Sequence, residues 1–139
     1  IFFLAFTLQA FGAQVFDAAI EQTMLTNIRQ ITFTSMGFEK AGEAYFSPDD
    51  KNIIFQAVPT GCEHYQIYTM NIEEQIPRMV STGKGACTCA FFRPDGKKIL
   101  FASSHDDPNL ANPDYTQDVP GYKRQGGTYA WAFKPYMNV

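Results

Sequence analysis

Phe46-Ser47-Pro48-Asp49-Asp50-Lys51-Asn52-Ile53-Ile54-Phe55-Gln56-Ala57 returns 46 residues later as Phe92-Arg93-Pro94-Asp95-Gly96-Lys97-Lys98-Ile99-Leu100-Phe101-Ala102-Ser103. Six of the twelve positions are identical in the two stretches. Each Pro-Asp corner suits a tight turn, because proline fixes φ at the first corner residue and Asp or Gly tolerates the conformation that follows. The apolar run after each turn predicts a β-strand. The sequence therefore predicts two copies of one structural unit.

The repeat predicts four short strands in each unit, joined by turns. In the first unit the strands are predicted near residues 43–46, 52–57, 65–70 and 77–80. In the second unit they are predicted near residues 87–92, 98–103 and 129–133, with a fourth strand expected beyond the chain. A repeat of about this length, built from short strands and Pro-Asp turns, is typical of the blades of a β-propeller. The predicted fold class is all-β, a β-propeller fragment of four-stranded antiparallel blades.

The two units divide most of the chain. Blade one is expected at about residues 40–80 and blade two at about residues 86–139, within a partial propeller over residues 27–139. Residues 27–33 have the character of an outermost strand, and a leading strand of this kind completes the last blade of a closed ring and hides two sheet edges. We therefore expect about two blades plus an N-terminal closing strand, from the N-terminal part of a longer protein. A complete small β protein is the alternative.

The start of the chain predicts export. Residues 1–13 contain four phenylalanines, two leucines and no charge, and they are too short to span a bilayer as a helix. They resemble the apolar region of a secretory signal peptide, with Ala10 and Gly12 as small residues at a cleavage site. Residues 14–26 are then a linker. The prediction is a periplasmic or secreted protein, without stable membrane insertion after leader removal; the alternative is a buried strand or helix of a preceding domain.

The composition of the chain argues against a nucleic-acid partner. The chain is 45% hydrophobic and 18% charged, with a net charge of −3. Non-specific nucleic-acid binding requires basic patches that neutralise phosphates. No basic cluster exceeds residues 78–84 or the pair Lys97-Lys98. We therefore expect no nucleic-acid partner.

Three cysteines leave three interpretations open. Cys62 lies between the second and third strands of the first unit, and Cys87 and Cys89 open the first strand of the next. In propeller geometry these places lie at one face, so a disulfide from Cys62 to Cys87 or Cys89 is one interpretation. Unpaired core cysteines are the second. Because Cys87 and Cys89 share strand parity, a metal site with His64 or His105 is the third, although Cys-x-Cys fits zinc spacing poorly.

The least repetitive part of the chain is an insertion at residues 104–128, where the first unit has only a brief connection at residues 58–64. Long loops on rigid scaffolds often carry recognition, and the connection at residues 81–86 is expected at the same face. The alternative is a solvated excursion that packs locally through Tyr115 and Tyr122. The expected partner is a protein or peptide. The candidate binding residues are His64, Lys84, His105, Asp106, Asp107, Tyr115, Tyr122 and Arg124.

His105-Asp106-Asp107 invites a metal or acid–base interpretation, but no nucleophile context lies nearby in the sequence. Asp107-Pro108 favours turn initiation instead. The chain contains no Gly-x-Ser-x-Gly elbow, no His-Glu-x-x-His, no P-loop and no Gly-x-Gly-x-x-Gly. We therefore expect a non-catalytic protein without a cofactor or a metal.

Residues 46–51 and 92–97, each leading into Ile-Ile-Phe or Ile-Leu-Phe, resemble the WD40-like, TolB-type (PD40) propeller repeat. The resemblance covers residues 27–103 well and the remainder loosely. Proteins of the TolB type are periplasmic, and in the best-known case an α/β domain precedes a propeller that binds a peptidoglycan-associated lipoprotein and the Tol envelope machinery. No such α/β domain is recognised in these residues, and this departure from the family's pattern argues against a Tol-system role. The resemblance implies an exported, TolB-like binding module for protein–protein interaction in the cell envelope.

A similar propeller forms the gating domain of prolyl-oligopeptidase-like serine hydrolases, which is the alternative function. In such a protein, or in one with another peptidase domain, the catalytic domain would follow further along the chain. A Gly-x-Ser-x-Gly elbow beyond Val139 would favour the hydrolase. Further Pro-Asp-Gly repeats followed by a stop would favour the binding module.

Overall fold

The computed structural model describes residues 26–112, residue 115 and residues 136–139. Residues 31–139 form a unit separate from residues 1–30, and the strands below belong to the former. The strands are β1 (Phe38–Phe46), β2 (Asn52–Pro59), β3 (Gln66–Asn71), β4 (Arg78–Met79), β5 (Cys87–Phe92) and β6 (Ile99–Ser103). The helices of the described residues are two short 3₁₀ turns, Thr34–Met36 and Pro108–Ala111. The predicted all-β class is confirmed.

Strands β1 to β4 form one antiparallel sheet in the order in which they occur in the chain. All four strands predicted for the first unit are present, and β1 begins five residues earlier than residue 43, at Phe38. Such a sequential sheet follows from short turns, because two strands joined by a tight connection pair with each other. The first unit is therefore a complete four-stranded antiparallel sheet.

Strands β5 and β6 form a second antiparallel sheet, close to the strands predicted at residues 87–92 and 98–103. Asn138 extends it, since Ser103 and Asn138 exchange backbone hydrogen bonds of 2.7 and 2.9 Å. The third predicted strand, at residues 129–133, lies outside the described residues. The second unit thus shows its first two strands.

The pairing register of the first unit recurs in the second, shifted by the 46 residues of the repeat. The equivalent pairs are Ala41–Ala57 and Cys87–Ser103, Gly42–Gln56 and Thr88–Ala102, Tyr45–Ile54 and Phe91–Leu100, and Phe46–Ile53 and Phe92–Ile99. Register is fixed by turn geometry and by which side chains must face the core. The sequence repeat is therefore a structural repeat, pair by pair.

A β-bulge also recurs at equivalent positions. The register shifts around Glu43 in β1 and around Cys89 in β5, and these residues have φ of 45° and 54°. A bulge inserts a residue without a partner and interrupts the alternation of faces along a strand. The predicted shared parity of Cys87 and Cys89 is therefore wrong: Cys87 is buried and Cys89 is exposed.

The two Pro-Asp turns have the same hydrogen bonds. The Ser47 amide donates to the Asn52 carbonyl, and the Arg93 amide donates to the Lys98 carbonyl, both over 2.8 Å. Asp50 and Gly96, at the equivalent corner, both have positive φ, of 58° and 69°. The predicted turns are confirmed.

The carboxylate of each turn is held by local donors. Ser47 Oγ donates to Asp49 Oδ1 over 2.6 Å, and Arg93 Nε donates to Asp95 Oδ1 over 2.8 Å. These side-chain donors, with the backbone amides of Lys51 and Lys97, lower the pKa of both carboxyls.

Two apolar clusters lie on opposite faces of the first sheet, because residues of β2 alternate between them. The first cluster contains Phe38, Ile53, Phe55, Ala57, Tyr68 and Met70, with Ile31, Met36 and Ile72 packed against it. The second contains Ile54, Ile67, Cys87 and Ala90, with Val80, Phe92, Ile99 and Phe101 packed against it. Cys87 and Ala90 belong to β5, so the second unit packs on the face that carries Ile54.

The structure assigns no strand at residues 27–33, and the last blade, which the predicted closing strand would complete, is not among the described residues, so this part of the prediction stays a prediction. A strand needs ladder hydrogen bonds from a neighbour, and none of the described strands pairs with this segment. Asn27 has φ of 59°, which is left-handed rather than extended. Instead, Ile31 packs its side chain against the first cluster.

The predicted leader at residues 1–13 and linker at residues 14–26 lie outside the described residues, apart from Thr26. Within the part of the chain that the structure describes, no helix is long and apolar enough to cross a membrane.

Candidate binding surface

Three connections meet at the edge of the sheets opposite the Pro-Asp turns. Residues 60–65 join β2 to β3, residues 80–86 join β4 to β5, and residues 104–112 follow β6; together they form what we call the loop edge. Backbone hydrogen bonds join them. The amide that opens β5 donates to the Tyr65 carbonyl over 2.9 Å, and the Ser104 amide donates to the Ala86 carbonyl over 3.0 Å. The sequence interval between these connections is long, but the fold brings them together.

Gln66 holds the β4–β5 connection against β3. Its side chain is buried; Nε2 donates to the Gly85 carbonyl over 2.8 Å and Oε1 accepts from Ser81 Oγ over 2.7 Å. Ser81 Oγ in turn accepts from the Ile67 amide over 3.0 Å. A buried amide requires partners of this kind for its donor and acceptor atoms. Gln66 therefore fixes the shape of the loop edge from beneath.

A buried thiol and a buried hydroxyl continue this network toward the segment after β6. Cys87 Sγ lies 3.2 Å from Ser103 Oγ, which lies 2.9 Å from His105 Nδ1 and accepts from the His105 amide over 3.2 Å. Cys87 and Ser103 are 1% and 3% exposed. The two groups hydrogen-bond to each other, and Ser103 Oγ holds His105 through its ring nitrogen and its amide.

Gly85 lies close against Ser104 at the loop edge. A Cβ on Gly85 would lie 2.7 Å from Ser104 Oγ, and Gly85 has φ of +62°. The same Ser104 Oγ accepts from the Ala86 amide over 3.0 Å. Glycine is the residue that tolerates both the conformation and the close contact.

Asp107 is the N-cap of the Pro108–Ala111 3₁₀ turn, and its carboxylate accepts hydrogen bonds from nearby residues of the same chain. Its carboxylate accepts from the Asn109 amide (2.9 Å), Asn109 Nδ2 (3.0 Å) and the Tyr115 hydroxyl (2.9 Å). Burial opposes ionisation, but these donors outweigh it and lower the pKa of Asp107. The same hydrogen bond, followed by burial, raises the pKa of Tyr115. Asp107 and Tyr115 therefore anchor the segment locally.

Lys84, His105 and Asp106 are the candidate binding residues that face solvent. His105 Nε2 lies 3.3 Å from Asp106 Oδ1, and the two side chains are 38% and 69% exposed. His64 is half-buried. The loop edge thus presents a cation, an imidazole and a carboxylate on a hydrogen-bonded frame, a combination suited to polar contacts with a peptide or protein. Tyr122 and Arg124 lie outside the described residues.

The three cysteines are free thiols, and the disulfide considered from Cys62 to Cys87 or Cys89 is not formed. The bulge at Cys89 turns it away from the side that Cys87 occupies. Cys87 behaves as a small core residue, as a buried free cysteine does. Within the described ranges, no group of three or more His, Cys, Asp and Glu residues is placed to hold a metal ion.

Sequence reasoning missed the residues that shape the loop edge: Gln66, Ser81, Gly85, Ser103 and Ser104. A polar residue at the start of an apolar strand, as Gln66 is, was one available signal. Its partners are 15 to 19 residues away in the chain, so they follow from the fold and not from local spacing.

Comparisons of the chain with protein-family models, curated proteins and solved structures found no match.

Proposed function

We propose that this chain is part of an exported β-propeller of the TolB-like type, a non-catalytic module that binds a protein or peptide through its loop edge in the cell envelope. The observation that carries the proposal is the repeated register: the β1–β2 pairs recur in β5–β6 at the interval of the sequence repeat. A sequential four-stranded antiparallel sheet, followed by an equivalent unit packed on its face, is the arrangement that blades of a propeller require.

The contact between equivalent residues supports the same interpretation. Tyr45 and Phe91 occupy the same position in successive units, and their rings meet edge to face with centroids 5.3 Å apart. Units arranged side by side around an axis bring equivalent positions of their first strands together. A pair of unrelated sheets has no reason to make that contact.

The loop edge supports binding as the function. Gln66 and Ser104 hold its backbone in place through hydrogen bonds to the Gly85 carbonyl and the Ala86 amide. Lys84, His105 and Asp106 are exposed to solvent on the same connections. Recognition residues on loops work best when a rigid scaffold positions them. The buried state of Cys87 and Ser103 favours a structural role for the network beside His105.

Binding is tested with an immobilised chain, a periplasmic or secreted protein fraction, and two matched variants. Lys84→Glu reverses a charge on the loop edge, whereas Lys97→Glu reverses an exposed charge in the Pro-Asp turn at the opposite edge. We expect a protein to be retained by the wild type and by Lys97→Glu, and to be lost with Lys84→Glu and with the double variant His105→Ala/Asp106→Ala. The proposal is overturned if the loop-edge variants retain the protein as well as the wild type does, or if the wild type retains no protein.

The gating-domain alternative is separated by sequencing the source DNA beyond Val139. Further Pro-Asp repeats and then a stop favour the binding module. A Gly-x-Ser-x-Gly elbow after the repeats makes the segment part of a hydrolase, and the loop edge a contact for that enzyme's substrate.

A further inference from the structure

Ser103 Oγ is the centre of a hydrogen-bond chain that runs from the protein surface to its interior. At one end, the His105 ring is partly exposed, and its Nδ1 lies 2.9 Å from Ser103 Oγ. At the other end, Cys87 Sγ lies 3.2 Å from the same oxygen and 3.7 Å from Gln66 Oε1. Cys87, Ser103 and Gln66 are buried. An exposed imidazole is therefore connected to a buried thiol and a buried amide through one hydroxyl.

The Ser103 hydroxyl has fewer bonding positions than its neighbours could use. It has one hydrogen to donate and two lone pairs with which to accept. One lone pair is taken by the His105 amide, whose nitrogen lies 3.2 Å away. One hydrogen and one lone pair remain for two neighbours, the His105 ring and the Cys87 thiol. If Ser103 donates to one of them, it must accept from the other.

The state of the His105 ring decides between these two arrangements. Nε2 lies 3.3 Å from Asp106 Oδ1, so in the neutral imidazole the hydrogen belongs on Nε2 and Nδ1 is an acceptor. Ser103 then donates to Nδ1, and the Cys87 thiol donates to Ser103 Oγ. Both short contacts of the hydroxyl are hydrogen bonds in this state.

Protonation of the ring reverses the chain. The imidazolium carries a hydrogen on both nitrogens, so Nδ1 must donate to Ser103 Oγ. Both lone pairs of Ser103 are then occupied, and its own hydrogen turns to Cys87 Sγ. The thiol hydrogen is displaced toward Gln66 Oε1, the next acceptor at 3.7 Å. One proton enters from solvent onto the imidazole, and the other hydrogens only rotate about their C–O and C–S bonds.

We infer that His105 is a proton-sensitive switch whose charge state is transmitted through Ser103 to the Cys87 thiol and the Gln66 amide. Imidazole is the side chain that ordinarily changes charge between about pH 5 and pH 8. Gln66 also donates to the Gly85 carbonyl over 2.8 Å, so the chain ends on the residue that holds the β4–β5 connection. The inference rests on the proposed function in one respect, since it adds regulation by pH to the same loop edge.

The ionisable groups around the His105 ring come from three elements. On its own segment, Asp106 is the counter-ion of the charged ring, whereas the Asp107 carboxylate accepts from residues further along that segment. Lys84 carries a like charge on the β4–β5 connection, which is hydrogen-bonded to this segment. Cys87 of β5 reaches the ring through the intervening hydroxyl. Because that hydroxyl carries no charge, removing it interrupts the chain and leaves all of these charges in place.

Infrared spectroscopy of the S–H stretch tests the switch without a binding partner. Cys62 and Cys89, which are exposed, are replaced by serine, so that Cys87 is the thiol observed. As the pH falls from about 8 to about 5, we expect the band to move to higher wavenumber, because the thiol exchanges a contact of 3.2 Å for one of 3.7 Å. The midpoint should equal that of the His105 ring protons in nuclear magnetic resonance spectra.

The two histidines of the chain provide a matched pair of variants. His105→Gln should abolish the shift of the S–H band, whereas His64→Gln should leave it unchanged. In Ser103→Ala the His105 ring should still titrate while the band stays in place. If Ser103→Ala does not fold, the histidine pair and the comparison of midpoints decide the question.

The switch is overturned if the S–H band stays fixed while the His105 ring titrates, if the shift survives His105→Gln, or if the ring takes up no proton before the chain unfolds. A shifting band in a chain whose loop edge retains no protein means that the proposed function fails and the switch stands. A retained protein with a fixed band means that the switch fails and the proposed function stands.

Discussion

The ring of Tyr45 lies edge-on to the ring of Phe91, with centroids 5.3 Å apart and planes at 66°. Both residues sit two positions after a bulge, at Glu43 and at Cys89, and both pair with an aliphatic residue of the next strand. Like positions of successive units therefore touch. The contact couples the two sheets at their first strands, while the cluster around Ile54 couples them through their faces.

The coupling between Tyr45 and Phe91 is measurable by a double-mutant cycle. Tyr45→Ala and Phe91→Ala should each destabilise the chain in urea unfolding, and the double variant should lose less than the sum of the two. Tyr45→Phe is the control, because it keeps the ring and removes only the exposed hydroxyl contact to Glu43. Strict additivity would mean that the rings touch without stabilising the packing of the units.

Gly85→Ala should destabilise the chain by about 2–4 kcal/mol, combining left-handed strain with the clash against Ser104. The added Cβ would lie 2.8 Å from the Ser104 carbonyl oxygen as well as 2.7 Å from Oγ, so backbone must move. Gly61→Ala is the matched control, since Gly61 also has positive φ but no atom within 4 Å of the new Cβ. We expect it to cost about 1 kcal/mol. Chemical unfolding of both variants measures the difference; equal losses would contradict the close approach.

Gln66→Leu should cost about 1–3 kcal/mol in urea unfolding, because the Gly85 carbonyl and Ser81 hydroxyl lose a buried partner. Ser81→Ala in the same background tests whether the two side chains act as a unit. The double variant should lose less stability than the sum of the two single variants, because both single changes remove the hydrogen bond from Ser81 Oγ to Gln66 Oε1. Strict additivity would show that Ser81 stabilises the chain by accepting from the Ile67 amide and not through Gln66.

Cys89→Gly should be neutral or stabilising by up to about 1 kcal/mol, because φ of 54° is strained for any residue with a side chain. Ala90→Gly, one position later and buried in the Ile54 cluster, should instead destabilise by about 1 kcal/mol through lost packing and added chain entropy. Thermal unfolding compares the two. A destabilised Cys89→Gly would imply that the exposed thiol makes a stabilising contact.

The sequence predicted those parts of the fold that depend on local chemistry. The Pro-Asp turns at residues 47–52 and 93–98 are specified by residues within the turn, and the strands on either side follow from their apolar runs. No strand is assigned at residues 27–33, because a strand there depends on a partner, the last blade of the predicted ring, and not on composition alone. The apolar side chain of Ile31 contributes to the core without any ladder.

The loop edge was less predictable, since its residues act through distant partners. Lys84, His105 and Asp106 could be identified as exposed and polar from their setting among turn residues. The inward direction of Asp107 could not, because it requires Tyr115 to fold back over eight residues. The bulge at Cys89 was equally invisible: nothing in Cys-Thr-Cys-Ala signals a residue with positive φ.

The hydrogen bond from Tyr115 to Asp107 should make stability depend on pH at both ends of the scale. The folded pKa of Asp107 is lowered, so its contribution is complete above the ordinary value of 3.8 and is lost as the pH falls through the folded pKa. The folded pKa of Tyr115 is raised, so its contribution is complete below 10.0 and is lost as the pH rises through the folded pKa.

Tyr115→Phe removes the donor, and the difference in unfolding free energy from wild type should be largest between these limits and shrink toward each. Asp107→Asn should make the free energy of unfolding depend less steeply on pH in the acid range. Asp49, whose carboxyl is held by Ser47, is the control: Asp49→Asn should change the pH dependence in the acid range and leave the alkaline range unchanged. A difference between wild type and Tyr115→Phe that stays constant from acid to alkaline pH would mean that the phenol packs against the segment without bonding to Asp107.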